Sequence, residues 1–88
     1  MRGLLGRKGL DSGEGLLLRP ASSVHTFFMR FPIDVVFLDR SLVVLGIADG
    51  VDPWRATSRK GAKAVLELPA GESSRRELTV GEQLTLAA

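Results

Sequence analysis

Two β-branched apolar runs, Ile33–Leu38 and Leu42–Ile47, stand on either side of the short segment Asp39-Arg40-Ser41. That spacing matches a three-residue hairpin loop and predicts a pair of antiparallel strands in the middle of the chain. Further strand-like stretches, punctuated by turn residues, lie around this hairpin. Leu16-Leu17-Leu18 reads as a short buried strand ended by Arg19-Pro20. Val24–Phe31 is rich in aromatic residues and reads as a strand that Pro32 ends or bulges. Asp49-Gly50 and Asp52-Pro53 are turn signals, residues 55–63 form a basic loop, and Ala64–Leu68 is a strand ended by Pro69.

The ends of the chain add less. Residues 1–15 are glycine-rich and basic, with Leu4, Leu5 and Leu10 supporting one short helical turn. Ala70–Glu77 holds a short helix that Ser73 or Ser74 can cap, and Gly81-Glu82 turns into a last strand, Gln83–Leu86. Several short strands with turns between them predict an α+β, mainly β fold. The expected architecture is a small antiparallel barrel or sandwich with one or two short helices.

The chain has 88 residues, which is one domain, residues 1–88, and a small core. With 44% hydrophobic and 25% charged residues it lies in the globular range. It contains no cysteine, so disulfides, thiolate catalysis and the usual structural zinc ligands are excluded. No apolar run approaches the roughly 20 residues of a membrane helix, and the start lacks the apolar stretch of a secretory signal. The expectation is a soluble, cytoplasmic protein without a membrane partner. A net charge of +2 is too small for a strong nucleic-acid footprint.

The candidate site lies within His25–Asp39, which holds the single histidine and all four phenylalanines. Regular alternation along Val24–Phe31 places His25, Phe27, Met29 and Phe31 on one face and Val24, Thr26, Phe28 and Arg30 on the other. The histidine then shares its face with large apolar residues, which favours a buried, hydrogen-bonded ring over an acid–base group. Asp34 follows Pro32 inside an apolar strand, where a carboxylate must be paired or hydrogen-bonded. It either accepts backbone N–H bonds at the bend or pairs with an arginine, or it serves as a cleft carboxylate gathered with Arg30 and His25. Asp39 reads as a turn residue. Trp54 reads as a lid over the sheet in preference to an exposed platform, with Arg55, Arg59, Lys60 and Lys63 as solvated cations beside it.

Other chemistries find little footing. A serine triad would have to recruit His25, Ser23 is poorly spaced for it, and no Gly-x-Ser-x-Gly elbow is present. One histidine with scattered carboxylates gives no recognised metal spacing, and nothing in the spacing of Asp34, Asp39 and Glu67 argues for a hard cation. There is no Walker loop and no dinucleotide fingerprint, so no cofactor is expected.

The order Gly3-Leu4-Leu5-Gly6-Arg7, Gly15-Leu16-Leu17-Leu18, His25–Asp39, Val65-Leu66-Glu67-Leu68-Pro69-Ala70-Gly71 and Gly81-Glu82 resembles the domain of unknown function 192 family, which is bacterial and archaeal. The resemblance spans nearly the whole chain and implies a small, mainly β domain, but it supplies no catalytic residues. The sequence departs from the family pattern at Phe28, where tryptophan is frequent, at Glu82, where aspartate is common, and at Ser22, where cysteine is frequent. The resemblance also implies further residues ahead of Met1 in many relatives, hence a missing first strand and an open sheet edge that would favour a homodimer.

The leading functional expectation is a non-enzymatic binding or accessory module with a polar cleft near the Pro32 bend. His25, Phe28, Arg30, Asp34 and Trp54 would form that cleft, and a small anionic ligand or a protein would be the partner. The alternatives are a small acid–base enzyme using His25 or Asp34, and a structural subunit docking by an open strand edge.

Overall fold

A computed structural model describes residues 2–6, 15–27 and 29–86 of the chain. Its strands are β1 (Arg2–Gly6), β2 (Leu16–Leu18), β3 (Ser23–His25), β4 (Ile33–Leu38), β5 (Val44–Val51), β6 (Ala56–Ser58), β7 (Ala64–Pro69) and β8 (Thr85–Leu86). One helical turn, α1 (Glu72–Arg75), lies between β7 and β8. Six strands pair in the order β5-β4-β7-β2-β1-β8, and β3 and β6 form a separate two-stranded ribbon. Every pairing is antiparallel. Val43 bridges to Gln83, Leu84 N donates to Leu42 O at 2.9 Å and Val44 N donates to Glu82 O at 2.8 Å. The two ends of the sheet order thus meet, and the sheet rolls into a small barrel, one of the two architectures expected.

The β4–β5 hairpin forms with its loop one residue later than the sequence suggests. Asp39 N donates to Val43 O and Leu42 N donates to Asp39 O, both at 3.0 Å, so the loop is Arg40-Ser41-Leu42. Leu42 takes the left-handed conformation such a loop requires, with φ 66. The Asp39 carboxylate fixes the turn by accepting from Ser41 N at 2.8 Å and Val43 N at 2.9 Å. Leu42 is buried despite its turn position, and β5 starts at Val44 instead of Leu42.

Period-two alternation along β4 and β7 divides the core in two. Val36, Leu38, Leu66, Leu68 and Ala64 point inward with Leu17, Val44, Leu78 and Leu84, filling the barrel. Ile33, Val35, Phe37 and Val65 point outward and are covered by Val24, Ala62 and Met29. Val24 is the buried residue of β3, so the β3–β6 ribbon lies over the outer face. The Arg59 guanidinium also packs over that face, within 2.7 Å of where a Cβ on Gly46 would stand. Fully burying each such aliphatic side chain contributes roughly 1.5–3 kcal/mol, so the two layers supply most of the drive to fold.

Four local expectations are corrected. Leu4 and Leu5 belong to strand β1, not to a helical turn, and Leu10 lies outside the described residues. β1 pairs with β2 on one side and β8 on the other. The aromatic stretch does not continue as a strand to Phe31: β3 ends at His25, because Thr26 turns the chain by accepting Met29 N on its carbonyl at 3.2 Å. Asp49-Gly50 is not a turn but a bulge within β5, where two residues stand opposite Asp34 and Gly50 adopts φ 58. Finally, α1 starts after Gly71 at φ 91 without a cap from its own serines.

Candidate functional site

Among the described residues of the expected cleft, Asp34 stands apart from His25 and Trp54 across β4. Asp34 is fully buried and, paired with Leu68 in register, faces the barrel interior. Its Oδ1 accepts from Gly50 N at 2.9 Å. Its Oδ2 accepts from Gly71 N at 3.1 Å, Ser73 N at 2.9 Å and Ser73 Oγ at 2.6 Å. Gly71 and Ser73 lie at the start of α1, where N–H groups have no partner within the helix, so the carboxylate of a distant strand caps that turn. Burial alone would raise the Asp34 pKa. The Ser73 hydroxyl and the three N–H donors outweigh it and hold the carboxyl below its ordinary value of 3.8. The Ser73 hydroxyl also lies 2.8 Å from Asp49 Oδ1, and its single proton can serve only one carboxylate at a time.

Asp34 does bond backbone N–H groups, as expected of it. Its donors come from β5 and the β7–α1 junction, however, not from the Pro32 bend, and no arginine is involved. It is a tie between three segments. Gly50, Gly71 and Ser73 were missed as its partners, and Asp49 as a second acceptor beside the Ser73 hydroxyl. The signal for Ser73 was the Gly71-Glu72-Ser73 sequence at a helix start, but nothing local to it pointed to Asp34.

The outer side carries a different arrangement. His25 is exposed, contrary to its expected burial, and meets Phe27 edge to face with ring centroids 5.0 Å apart. Phe27 stacks on Trp54 at 5.8 Å and an interplanar angle of 18°. Trp54 is 64% exposed and Phe27 41%, so the tryptophan is a platform and not a lid. Three rings from two segments thus form one continuous aromatic surface. Arg30 is exposed, and Phe28 lies outside the described residues.

Thr26, fully buried, builds this surface. Its N–H donates to Arg55 O at 2.8 Å and its carbonyl accepts Trp54 N at 2.9 Å. Its Oγ1 accepts Arg55 N at 2.9 Å and donates toward Asp52 O at 2.7 Å, with Arg55 O at 3.1 Å. This clamp holds Trp54 at φ 64, a left-handed conformation that a bulky L residue rarely adopts. Sequence reasoning passed over Thr26 and treated Phe27 as core. A threonine between a histidine and a phenylalanine gives no warning that it will bind a loop 26 residues away.

The arrangement suits contact more than proton transfer. The two groups that could share acid–base work, His25 and Asp34, stand on opposite sides of a hydrogen-bonded sheet. Among the described residues no group of three or more histidine, aspartate and glutamate side chains is placed to hold a metal ion, and no helix is long and apolar enough to cross a membrane.

Comparison with other proteins agrees with the fold. A UPF0127 protein of Thermococcus sibiricus is 38% identical over 64 residues, 72% of this chain and 41% of the relative. A UPF0127 protein of Pyrococcus abyssi is 36% identical over 64 residues, 72% of this chain and 54% of the relative. The chain therefore spans about half the length of the curated relatives it matches. A crystal structure of a protein of unknown function from Novosphingobium aromaticivorans superposes with a TM-score of 0.73 at 25% identity, covering 93% of this chain and 64% of that one. The model of the DUF192 family, described as "Uncharacterized ACR", matches residues 1–86. The chain belongs to the DUF192 family.

Proposed function

We propose that this domain is a non-catalytic binding module whose recognition surface is the aromatic platform of His25, Phe27 and Trp54. The observation that carries the reading is Trp54: a single tryptophan held in a left-handed conformation by a buried threonine, with most of its indole in water. Strained backbone of this kind costs of order 1–3 kcal/mol and persists where the surroundings enforce it. Here the enforcement presents an aromatic face to solvent, whereas a core role would have turned it inward. Rigid aromatic side chains are favoured contact residues because they offer large apolar area at low entropic cost. The partner lays an apolar or planar group, from a protein or a small molecule, on the Trp54–Phe27 stack.

The separation of His25 from Asp34 across the sheet supports binding over the acid–base alternative. The pairing of β1 on both sides weighs against docking by an open edge at that strand. The expected cleft at Pro32 gives way to the platform, which keeps His25 and Trp54, adds Phe27 and releases Asp34. Arg30→Ala decides whether that exposed guanidinium contributes.

Trp54 is the one tryptophan, so its fluorescence reports on the site directly. A partner found by an unbiased screen should quench or shift that emission on binding. Trp54→Ala or Phe27→Ala should then weaken its affinity by at least about 2 kcal/mol, some thirtyfold. A partner that binds both variants as tightly as the parent would remove the platform as the recognition surface.

A further inference from the structure

The far end of the sheet carries a second feature, independent of the aromatic platform. β2, β7 and β4 are consecutive antiparallel neighbours, so the end of β2, the start of β7 and the end of β4 fall side by side. Leu18 stands opposite Val65, and Ala64 stands opposite Leu38. The residue just beyond β2 is Arg19, the one just before β7 is Lys63, and the β4–β5 loop supplies Arg40. Topology therefore gathers three cations from sequence positions up to 44 residues apart. They line one open groove of about 370 Å³ together with Pro20, Asp39 and Ala64.

Like charges brought together raise the local potential, and low-dielectric walls focus it. Asp39, the one carboxylate among the described lining residues, already has its Oδ1 occupied by the N–H groups of Ser41 and Val43. Among those residues the groove thus sets three cations against a single carboxylate that the turn employs. Its backbone is held: Lys63 N donates to Leu38 O at 2.8 Å, and Ala21 N donates to Lys63 O at 3.0 Å. The volume lies in the range of sites for small molecules, and Pro20 and Ala64 add apolar wall.

We infer that this groove binds a small phosphorylated molecule. Arg19 and Arg40 have the planar forks that grip phosphate oxygens in pairs, and Lys63 adds a compact positive charge. Among the described lining residues the excess of two positive charges matches a dianionic phosphate. The site lies at the opposite end of β4 from the Thr26 clamp, about 20 Å away for a six-residue strand. Its occupation and that of the aromatic platform can therefore be measured separately.

The test is a titration of the 15N-labelled protein at low salt with inorganic phosphate and, separately, with glycerol 3-phosphate. Expected are saturable amide shifts centred on Arg19, Arg40, Lys63 and Ala64. The double substitution Arg40→Gln with Lys63→Gln should weaken binding about tenfold or more, while Arg55→Gln with Lys60→Gln leaves it within twofold. All four substituted cations are exposed, and the same spectra report whether each variant is folded. Tighter binding of the ester identifies a phosphorylated metabolite, and tighter binding of the inorganic ion identifies free phosphate; both support the site. Shifts spread over every cation without saturation overturn it, as does equal loss from the two double substitutions. Saturation by a single-stranded oligonucleotide at the same residues, with both small phosphates silent, also overturns it.

Discussion

Asp34 and Trp54 answer opposite questions about what a residue is for. Asp34 is charged and fully buried, yet four donors occupy its two oxygens. Trp54 is the largest apolar residue in the chain, yet most of it faces solvent at the expense of a strained backbone. In the sequence, the carboxylate inside an apolar strand reads either as a hydrogen-bonded tie or as a cleft group, and the tryptophan reads as a lid. The fold makes the first a tie and reverses the second. A buried polar group with every bond satisfied joins the parts of the molecule, whereas an apolar group held out of the core presents a face to solvent.

The sharpest way to break this contrast is to remove the carboxylate. Asp34→Ala leaves the N–H groups of Gly50, Gly71 and Ser73 without their acceptor, the Ser73 bond fully buried and the other two partly so. Each such loss costs about 1–3 kcal/mol, so urea unfolding should show a loss of about 3 kcal/mol or more. A variant as stable as the parent would mean that the carboxylate was not a structural tie.

Acid titration tests the same tie without altering the barrel. The Asp34 carboxyl is held below its unfolded value of 3.8, so the folded state favours the ionised form. Its contribution is fully present above that value, and is lost as pH falls from about 4 through the lower folded pKa. Stability measured between pH 6 and pH 2 should fall on the acid side, and Asp34→Asn should flatten that fall. An unchanged slope in Asp34→Asn would assign the acid sensitivity to other carboxylates.

Thr26→Val asks how far the platform depends on its clamp. Valine keeps the shape of threonine but cannot accept Arg55 N or donate to Asp52 O. The partly buried Arg55 N–H and Asp52 carbonyl would then lose a partner, a cost of about 1 kcal/mol or more. Because two backbone bonds still join Thr26 to Arg55 and Trp54, the fold should survive with a looser loop. Faster amide exchange confined to residues 52–55 is the expected signature. Uniform loss of protection across the barrel would show that the clamp supports the whole molecule and not the platform.

The two faces also differ in how much of them could be read in advance. β2 and β4 were legible to the residue, and β7 to within one, because short apolar runs bounded by turn residues have few other uses. The hairpin loop was legible in length and misplaced by one, since Leu42 in a left-handed turn conformation breaks the expectation of glycine there. Asp34 could be recognised as needing partners, but those partners are 16 to 39 residues away and depend on the bulge at Gly50. The platform was the least legible part. Alternation along a continuous strand would have buried His25 and Phe27 together, and that inference failed when Thr26 bonded sideways to residues 52–55 and ended the strand. The groove at Arg19, Arg40 and Lys63 exists only through sheet order, which no local window contains.

Trp54→Gly should have the smallest effect on stability and is the most discriminating test of presentation. Removing the indole forfeits its stack with Phe27, which is worth about 0.5–1.5 kcal/mol beyond area. Glycine meanwhile adopts φ 64 freely, recovering the roughly 1–2 kcal/mol that an L side chain loses there, at some cost from the looser unfolded chain. These terms nearly cancel, so the melting midpoint in urea should correspond to a change within about 1 kcal/mol of the parent. The Thr26 bonds should remain, visible as unchanged exchange at the Arg55 amide. A loss well above 2 kcal/mol would mean that the indole supports Phe27 and His25 from beneath, which would make Trp54 a structural residue like Asp34. Near-neutral stability would instead leave its strained, solvent-facing pose without a structural use, as expected of a ring held out for a partner.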